Sequence, residues 1–109
     1  MIFGGTRTVW VVVFFDLPVT TPASRKAYTE FRKCLLRDGF TKMQFSVYMR
    51  HCASEENSQV HILRTRNALP PEGEVRIFKI TDKQFSRIQV FSGKKRKKIE
   101  NAPRQLTLF

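Results

Sequence analysis

Few residues of this 109-residue chain are of types that do chemistry, and Asp16 is the one most suggestively placed. It directly follows Val9-Trp10-Val11-Val12-Val13-Phe14-Phe15. That continuously apolar, β-branched and aromatic run reads as a central strand covered on both faces. A carboxylate at the carboxyl end of such a strand costs desolvation unless a cation, a backbone donor or a symmetry mate's metal compensates. Two readings follow. One is a cap for the turn through Pro18 to Pro22. The other is a Mg²⁺ ligand, because Mg²⁺ is often held by only one or two carboxylates, completed by water and phosphate. A two-fold dimer would bring a second Asp16 to the axis. No Ser-His-Asp signature, glycine-rich phosphate loop or paired-carboxylate motif occurs. Cys34 and Cys52 stand alone, and the 2 His complete no zinc pattern. Two such cysteines fit a reducing compartment.

Charge narrows the partner. The 20 Lys+Arg face only 9 Asp+Glu, a formal charge of +11, and the pI is about 10.4. A small domain carrying that charge repels itself, and a polyanion supplies the missing negative charge. Nucleic acid is the leading partner and an anionic membrane surface the second. The membrane reading is weak, since the longest apolar run, residues 9–15, is far short of the roughly 20 residues a spanning helix needs. The start, Met1-Ile2-Phe3-Gly4-Gly5-Thr6-Arg7, lacks a signal-peptide layout. The expected compartment is the cytoplasm.

The elements that must position these residues are visible in the pattern. Thr21-Pro22 reads as a helix start, with Thr21 the N-cap and Pro22 at the first helical position. From there to Arg37, the residues Ala27, Tyr28, Phe31, Cys34 and Leu35 share one face. Arg25, Lys26, Arg32, Lys33 and Arg37 fall on the opposite one, and are candidates for phosphate contact. Leu36 sits off the apolar stripe. Gly39 supplies a left-handed C-terminal cap. Met43, Phe45, Val47 and Met49 alternate with Lys42, Gln44, Ser46, Tyr48 and Arg50, which predicts one half-buried strand. Residues 50–54 leave room for a hairpin's return strand. A second helix is expected over residues 54–67, on the thin apolar signal of Val60, Ile62 and Leu63. Pro70-Pro71-Glu72-Gly73 is a turn. Residues 74–81 form a strand, and residues 88–91 a short last one. The order predicts an α+β, ferredoxin-like βαββαβ sandwich: an antiparallel sheet with two helices on one face.

One domain is thus expected over residues 1–93, followed by a basic C-terminal arm over residues 94–109. The arm opens with Lys94-Lys95-Arg96-Lys97-Lys98 and ends with Leu106-Thr107-Leu108-Phe109. Its cations are either a solvated tail or an arm for phosphates. An apolar end suits docking on a sheet edge or on a partner.

These motifs, in order and at this spacing, resemble a known family. Phe14-Phe15-Asp16-Leu17-Pro18 after a valine-rich strand looks like the first-strand signature of the small CRISPR-associated Cas-two family. Gly39, then Lys42-Met43-Gln44-Phe45-Ser46-Val47-Tyr48, resembles its second signature. The strand Val75-Arg76-Ile77-Phe78-Lys79-Ile80-Thr81, followed by Asp82-Lys83-Gln84-Phe85, resembles its last strand and short link. The closing Gln105-Leu106-Thr107-Leu108-Phe109 is similar to the ends of members that accompany type II systems.

The resemblance implies a ferredoxin-like homodimer in which each chain's last strand extends the partner's sheet. It implies that paired copies of Asp16 hold one divalent cation, such as Mg²⁺, per dimer. It implies a place in the spacer-acquisition complex, between dimers of the Cas-one integrase, with double-stranded DNA lying across it. Many members are described as metal-dependent endonucleases on RNA or double-stranded DNA, and others serve only as scaffold. On the catalytic reading Asp16 holds the metal, Lys42 joins the phosphate contacts, and Ser46 and Tyr48 orient substrate; otherwise those two are ordinary outward-facing strand residues. Many members have Tyr where this chain has Phe15, and Arg where it has Lys42. Both departures remove a possible phosphate contact. The expected function is therefore a DNA-binding scaffold subunit of the integrase complex, with an independent Mg²⁺-dependent nuclease as the alternative.

Overall fold

A computed structural model describes residues 8–93 of the chain. The elements are β1 (Val9–Asp16), α1 (Pro22–Arg37), β2 (Thr41–Gln44), β3 (Val47–Cys52), α2 (Glu55–Asn67), β4 (Glu74–Thr81) and α3 (Asp82–Ser86). The strands form one antiparallel sheet in the order β2-β3-β1-β4. The ferredoxin-like βαββαβ expectation holds, with α3 added.

β1 is apolar from Val9 to Phe15 because it faces two layers. Val9, Val11, Val13 and Phe15 turn to one face and pack with Phe31 and Leu35 of α1, partly buried Ile62 of α2, and Tyr48 and Cys52 of β3. Val12 and partly buried Trp10 turn to the other, where they meet Met49 and Phe85 of α3. Both long helices therefore cover one face of the sheet. The second face is only partly roofed by α3 and keeps an open apolar groove of about 500 Å³, whose lining includes Val12, Met43, Val47, Met49, Phe78 and Ile80.

The helix ends follow from local chemistry. The Thr21 hydroxyl accepts from the Ser24 amide at 3.0 Å, and the Ser24 hydroxyl accepts from the Thr21 amide at 2.9 Å, closing a capping box. At the other end Gly39 has φ +90°. Its amide donates to the Leu36 carbonyl at 3.1 Å, and that of Phe40 donates to Leu35 at 3.0 Å. This is the Schellman arrangement, and it needs the left-handed residue that Gly39 supplies.

Four expectations are corrected. Residues 42–50 are not one strand: the chain reverses at Phe45 and Ser46, with Gln44 paired to Val47. Ser46 makes the turn by adopting φ 62°, a region that few residues other than glycine enter. The return strand is thus β3 itself, paired to β1 from Val9↔Cys52 to Phe14↔Val47, and not residues 50–54. Residues 88–91 form no strand in this chain. Before them Thr81 and Gln84 close a second capping box, which starts α3 where only a link was expected.

Among the described residues no helix is long and apolar enough to cross a membrane. The basic arm, with Lys94, Lys95, Arg96, Lys97 and Lys98, and the closing Leu106, Leu108 and Phe109 lie outside the described residues.

Candidate functional site

Asp16 is the last residue of β1 and is exposed. The desolvation expected from its strand is therefore absent, because the apolar cover ends one residue earlier, at Phe15. Nor does it cap α1, whose first turn is closed by Thr21 and Ser24. By alternation along β1, Asp16 lies on the same face as Val12 and Phe14, the one opposite α1 and α2. Its neighbours are fixed by backbone. Phe15 donates its amide to the Ser46 carbonyl at 3.1 Å, so the β2–β3 turn closes on the end of β1. On the other side, register pairs Asp16 with Glu74 and Phe14 with Arg76. A guanidinium nitrogen of Arg76 lies 3.2 Å from Glu74 Oε1.

Asp16 is an exposed carboxylate, a hard oxygen donor by chemistry, and among the described residues it belongs to no group of three or more His, Cys, Asp or Glu side chains that could hold a metal ion. Phe15 adds no donor beside it. It is buried and packs edge-on against Phe31 and stacked against Tyr48, on the helix side of the sheet.

The other expected site residues are distributed unevenly. Arg25, Lys26, Lys33 and Arg37 are exposed on α1. Arg32 is half-buried and leans on Tyr48. Tyr48 is not outward-facing: it is 1% exposed. Burial pushes its hydroxyl pKa up, and the Arg32 guanidinium beside it draws it partly back. Lys42 is exposed, with its Nζ 5.9 Å from the ring centre of Phe45, which is 74% exposed at the hairpin tip. Ser46 sits in the turn beside Asp16's strand. The structure thus brings Ser46 close to the end of β1, and sends Tyr48 into the core.

Sequence reading missed two polar clusters. Asp38, at the C-cap of α1, has Oδ2 2.8 Å from Nδ1 of buried His61 and accepts from Arg64 at 2.7 Å. Its carbonyl accepts from Arg50 Nε at 2.7 Å. Burial pushes the Asp38 carboxyl up, but the hydrogen bonds from His61 and Arg64 outweigh it, and its pKa lies below the usual value. The members are 23 and 26 residues from Asp38 in sequence, a separation no short motif spans. The second cluster fixes α3. Asp82 accepts from Thr8, from Trp10 Nε1 at 2.9 Å, and faces His51 Nε2 at 3.0 Å. The Thr8 bond, with those of Trp10 and His51, holds its carboxyl below the ordinary range. Burial pushes the Cys52 thiol up, which marks it as an unreactive core residue.

Comparison with known proteins decides the family. The family model described as "CRISPR associated protein Cas2" matches residues 9–88. The chain belongs to the Cas2 family. A Cas2 relative from Parvibaculum lavamentivorans, named CRISPR-associated endoribonuclease Cas2, is 57% identical over 93% of this chain and 100% of its own length. One of the same name from Flavobacterium psychrophilum is 50% identical over 94% of this chain and 90% of its own. A solved structure titled "Crystal structure of cas2" is similar in fold, with a TM-score of 0.55 at 20% identity, over 84% of this chain and 97% of that one. The Cas2 match spans β1 through α3, and so contains Asp16, Ser46 and the whole cationic helix.

Proposed function

We propose that the protein is the DNA-binding scaffold subunit of a CRISPR spacer-acquisition complex, working as a homodimer beside the Cas-one integrase. The observation that carries this reading is the exposed cationic row Arg25, Lys26, Lys33 and Arg37 on α1 of a Cas2 fold. Four cations along one helix in a chain of charge +11 suit a phosphate backbone read without regard to sequence. Lys42 and the cations of residues 94–98 add to that charge. The open apolar groove on the second face supports the dimer, because a second copy would cover apolar surface that α3 leaves bare.

A second reading, a Mg²⁺-dependent endonuclease on RNA or double-stranded DNA, is favoured by the endoribonuclease name of the relatives. Asp16 suits it as cation ligand. When bound, the cation supplies an acidified water and a Lewis acid for the phosphoryl oxygen. Asp16 would hold it, Lys42 would neutralise phosphate charge, and the Ser46 hydroxyl would orient the strand. Against it stands the core position of both Phe15 and Tyr48, which takes two rings away from the Asp16 side of the sheet.

The test is a titration of a short DNA duplex against the protein at several salt concentrations. Five to eight phosphate contacts give a log-log slope of roughly −5 to −7. Reversing Arg25, Lys26, Lys33 and Arg37 to Glu should flatten it by several units. A wild-type slope near zero would remove the DNA-binding reading.

A further inference from the structure

We infer that Phe45 is a stacking platform for an unpaired nucleobase. This deepens the nucleic-acid reading given above and rests on it. Alternation across residues 42–50 puts Phe45 among the half-buried positions of a strand, yet its ring stands 74% exposed at the tip of the β2–β3 hairpin. It belongs to neither apolar cluster of the core. Among the described residues no other ring packs on it. An aromatic ring left in water at a turn has an unfavourable hydration that the usual polar turn residues avoid. A planar ligand that covers the ring removes it.

The electrostatic setting of the ring says which planar ligand fits. Lys42 Nζ lies 5.9 Å from the ring centre, within cation–π range. Register pairs Lys42 with Tyr48, so the two project from the same face of the sheet. The Arg32 guanidinium bonds to the Tyr48 hydroxyl on that face. Residues 39–54 contain no carboxylate. Asp16, at the end of β1, lies on the opposite face by alternation. A base brings its phosphate with it, and Lys42 is placed to neutralise that charge. Aromatic rings beside cations are how single strands are held without regard to sequence, because every base has a π face.

The ring is also anchored. Ser46 makes the turn at φ 62°, and its carbonyl accepts from the Phe15 amide at 3.1 Å, which ties the hairpin tip to the end of β1. A platform already fixed in place loses little freedom when a base settles on it. The cations of α1 meet phosphates of paired and unpaired strands alike. Phe45 can stack only on a base that is out of the duplex, and so adds a preference for single strands.

The test measures fluorescence anisotropy of a labelled oligothymidine and of a labelled blunt DNA duplex, titrated with the full-length protein at one salt concentration. Circular dichroism confirms the fold of each variant. Phe45→Ala and Phe45→Leu should each weaken binding to the strand about tenfold, Phe45→Trp should restore it, and duplex affinity should change by less than about twofold. Phe45→Leu keeps apolar bulk without a π face, so wild-type strand affinity in that variant would overturn the stacking role while leaving duplex binding standing. An equal loss on strand and duplex would also overturn it, by showing a general effect on the surface. Loss of integrase binding in Phe45→Ala with strand affinity unchanged would overturn it in favour of a protein contact. A wild-type protein that binds neither strand nor duplex would remove the nucleic-acid reading on which the role of Phe45 rests.

Discussion

Gly73 and the Asp16 carbonyl oxygen are packed so closely that a Cβ on Gly73 would stand 2.8 Å from that oxygen. Backbone is the obstacle, and it cannot swing aside as a side-chain tip would. Gly73→Ala is therefore expected to destabilise the fold by about 1–3 kcal/mol, from the clash and the positive φ together. Urea denaturation reads this directly, and an unchanged midpoint would contradict it.

Ser46 is strained where Gly73 is not. At φ 62° it carries the cost of a left-handed residue, about 1–2 kcal/mol. Ser46→Gly is expected to raise stability by a few tenths to about 1 kcal/mol, the relief being partly offset by the extra freedom of glycine when unfolded. A lowered melting temperature would show that the Ser46 side chain itself holds the turn.

Acid should loosen the packing of α1 against α2. The Asp38 carboxyl is held below its ordinary value, so the folded state binds that proton less readily than the unfolded chain. Its stabilising effect is complete above the unfolded value, near pH 4, and is lost as pH falls through the folded one. Asp38→Asn should lower stability at pH 7 and flatten its acid dependence. Denaturation curves between pH 3 and pH 7 measure both, and an unaltered acid slope would assign the dependence to other groups, Asp82 first.

Asp82 ties α3 to the sheet through Trp10 and His51, and so holds Phe85 stacked on Trp10 at 3.9 Å. Asp82→Asn is expected to speed amide exchange across residues 82–86 and to shift the fluorescence of Trp10, the only tryptophan, while leaving β1–β4 protected. Unchanged exchange would mean that Phe85 packing alone holds α3.

Strong periodicity and end signals made β1, α1 and β4 readable from sequence. The valine run, Thr21-Pro22 and Gly39 each act locally, and the structure uses them as read. The hairpin was hidden because its alternation runs unbroken through the turn, and serine is not a residue that announces φ 62°. Tyr48 was misplaced for the same reason: β3 is covered on both faces, so alternation does not divide it into wet and dry sides. The helix α3 did have a signal, Thr81 with Gln84 three residues on, overshadowed by the apolar Ile88 and Val90 that follow. The position of Asp16 after an apolar strand was visible in sequence; its exposure was not, because the apolar cover stops one residue earlier, at Phe15.

The most direct measurement is spacer integration by the purified protein with its Cas-one integrase, using a linear duplex and a repeat-bearing target. Asp16→Asn is expected to integrate at the wild-type level while any Mg²⁺-dependent cleavage disappears. Reversal of Arg25, Lys26, Lys33 and Arg37 to Glu is expected to abolish integration with the fold intact. Normal integration by the charge-reversed variant, together with its loss in a folded Asp16→Asn protein, would contradict the scaffold function and favour the nuclease.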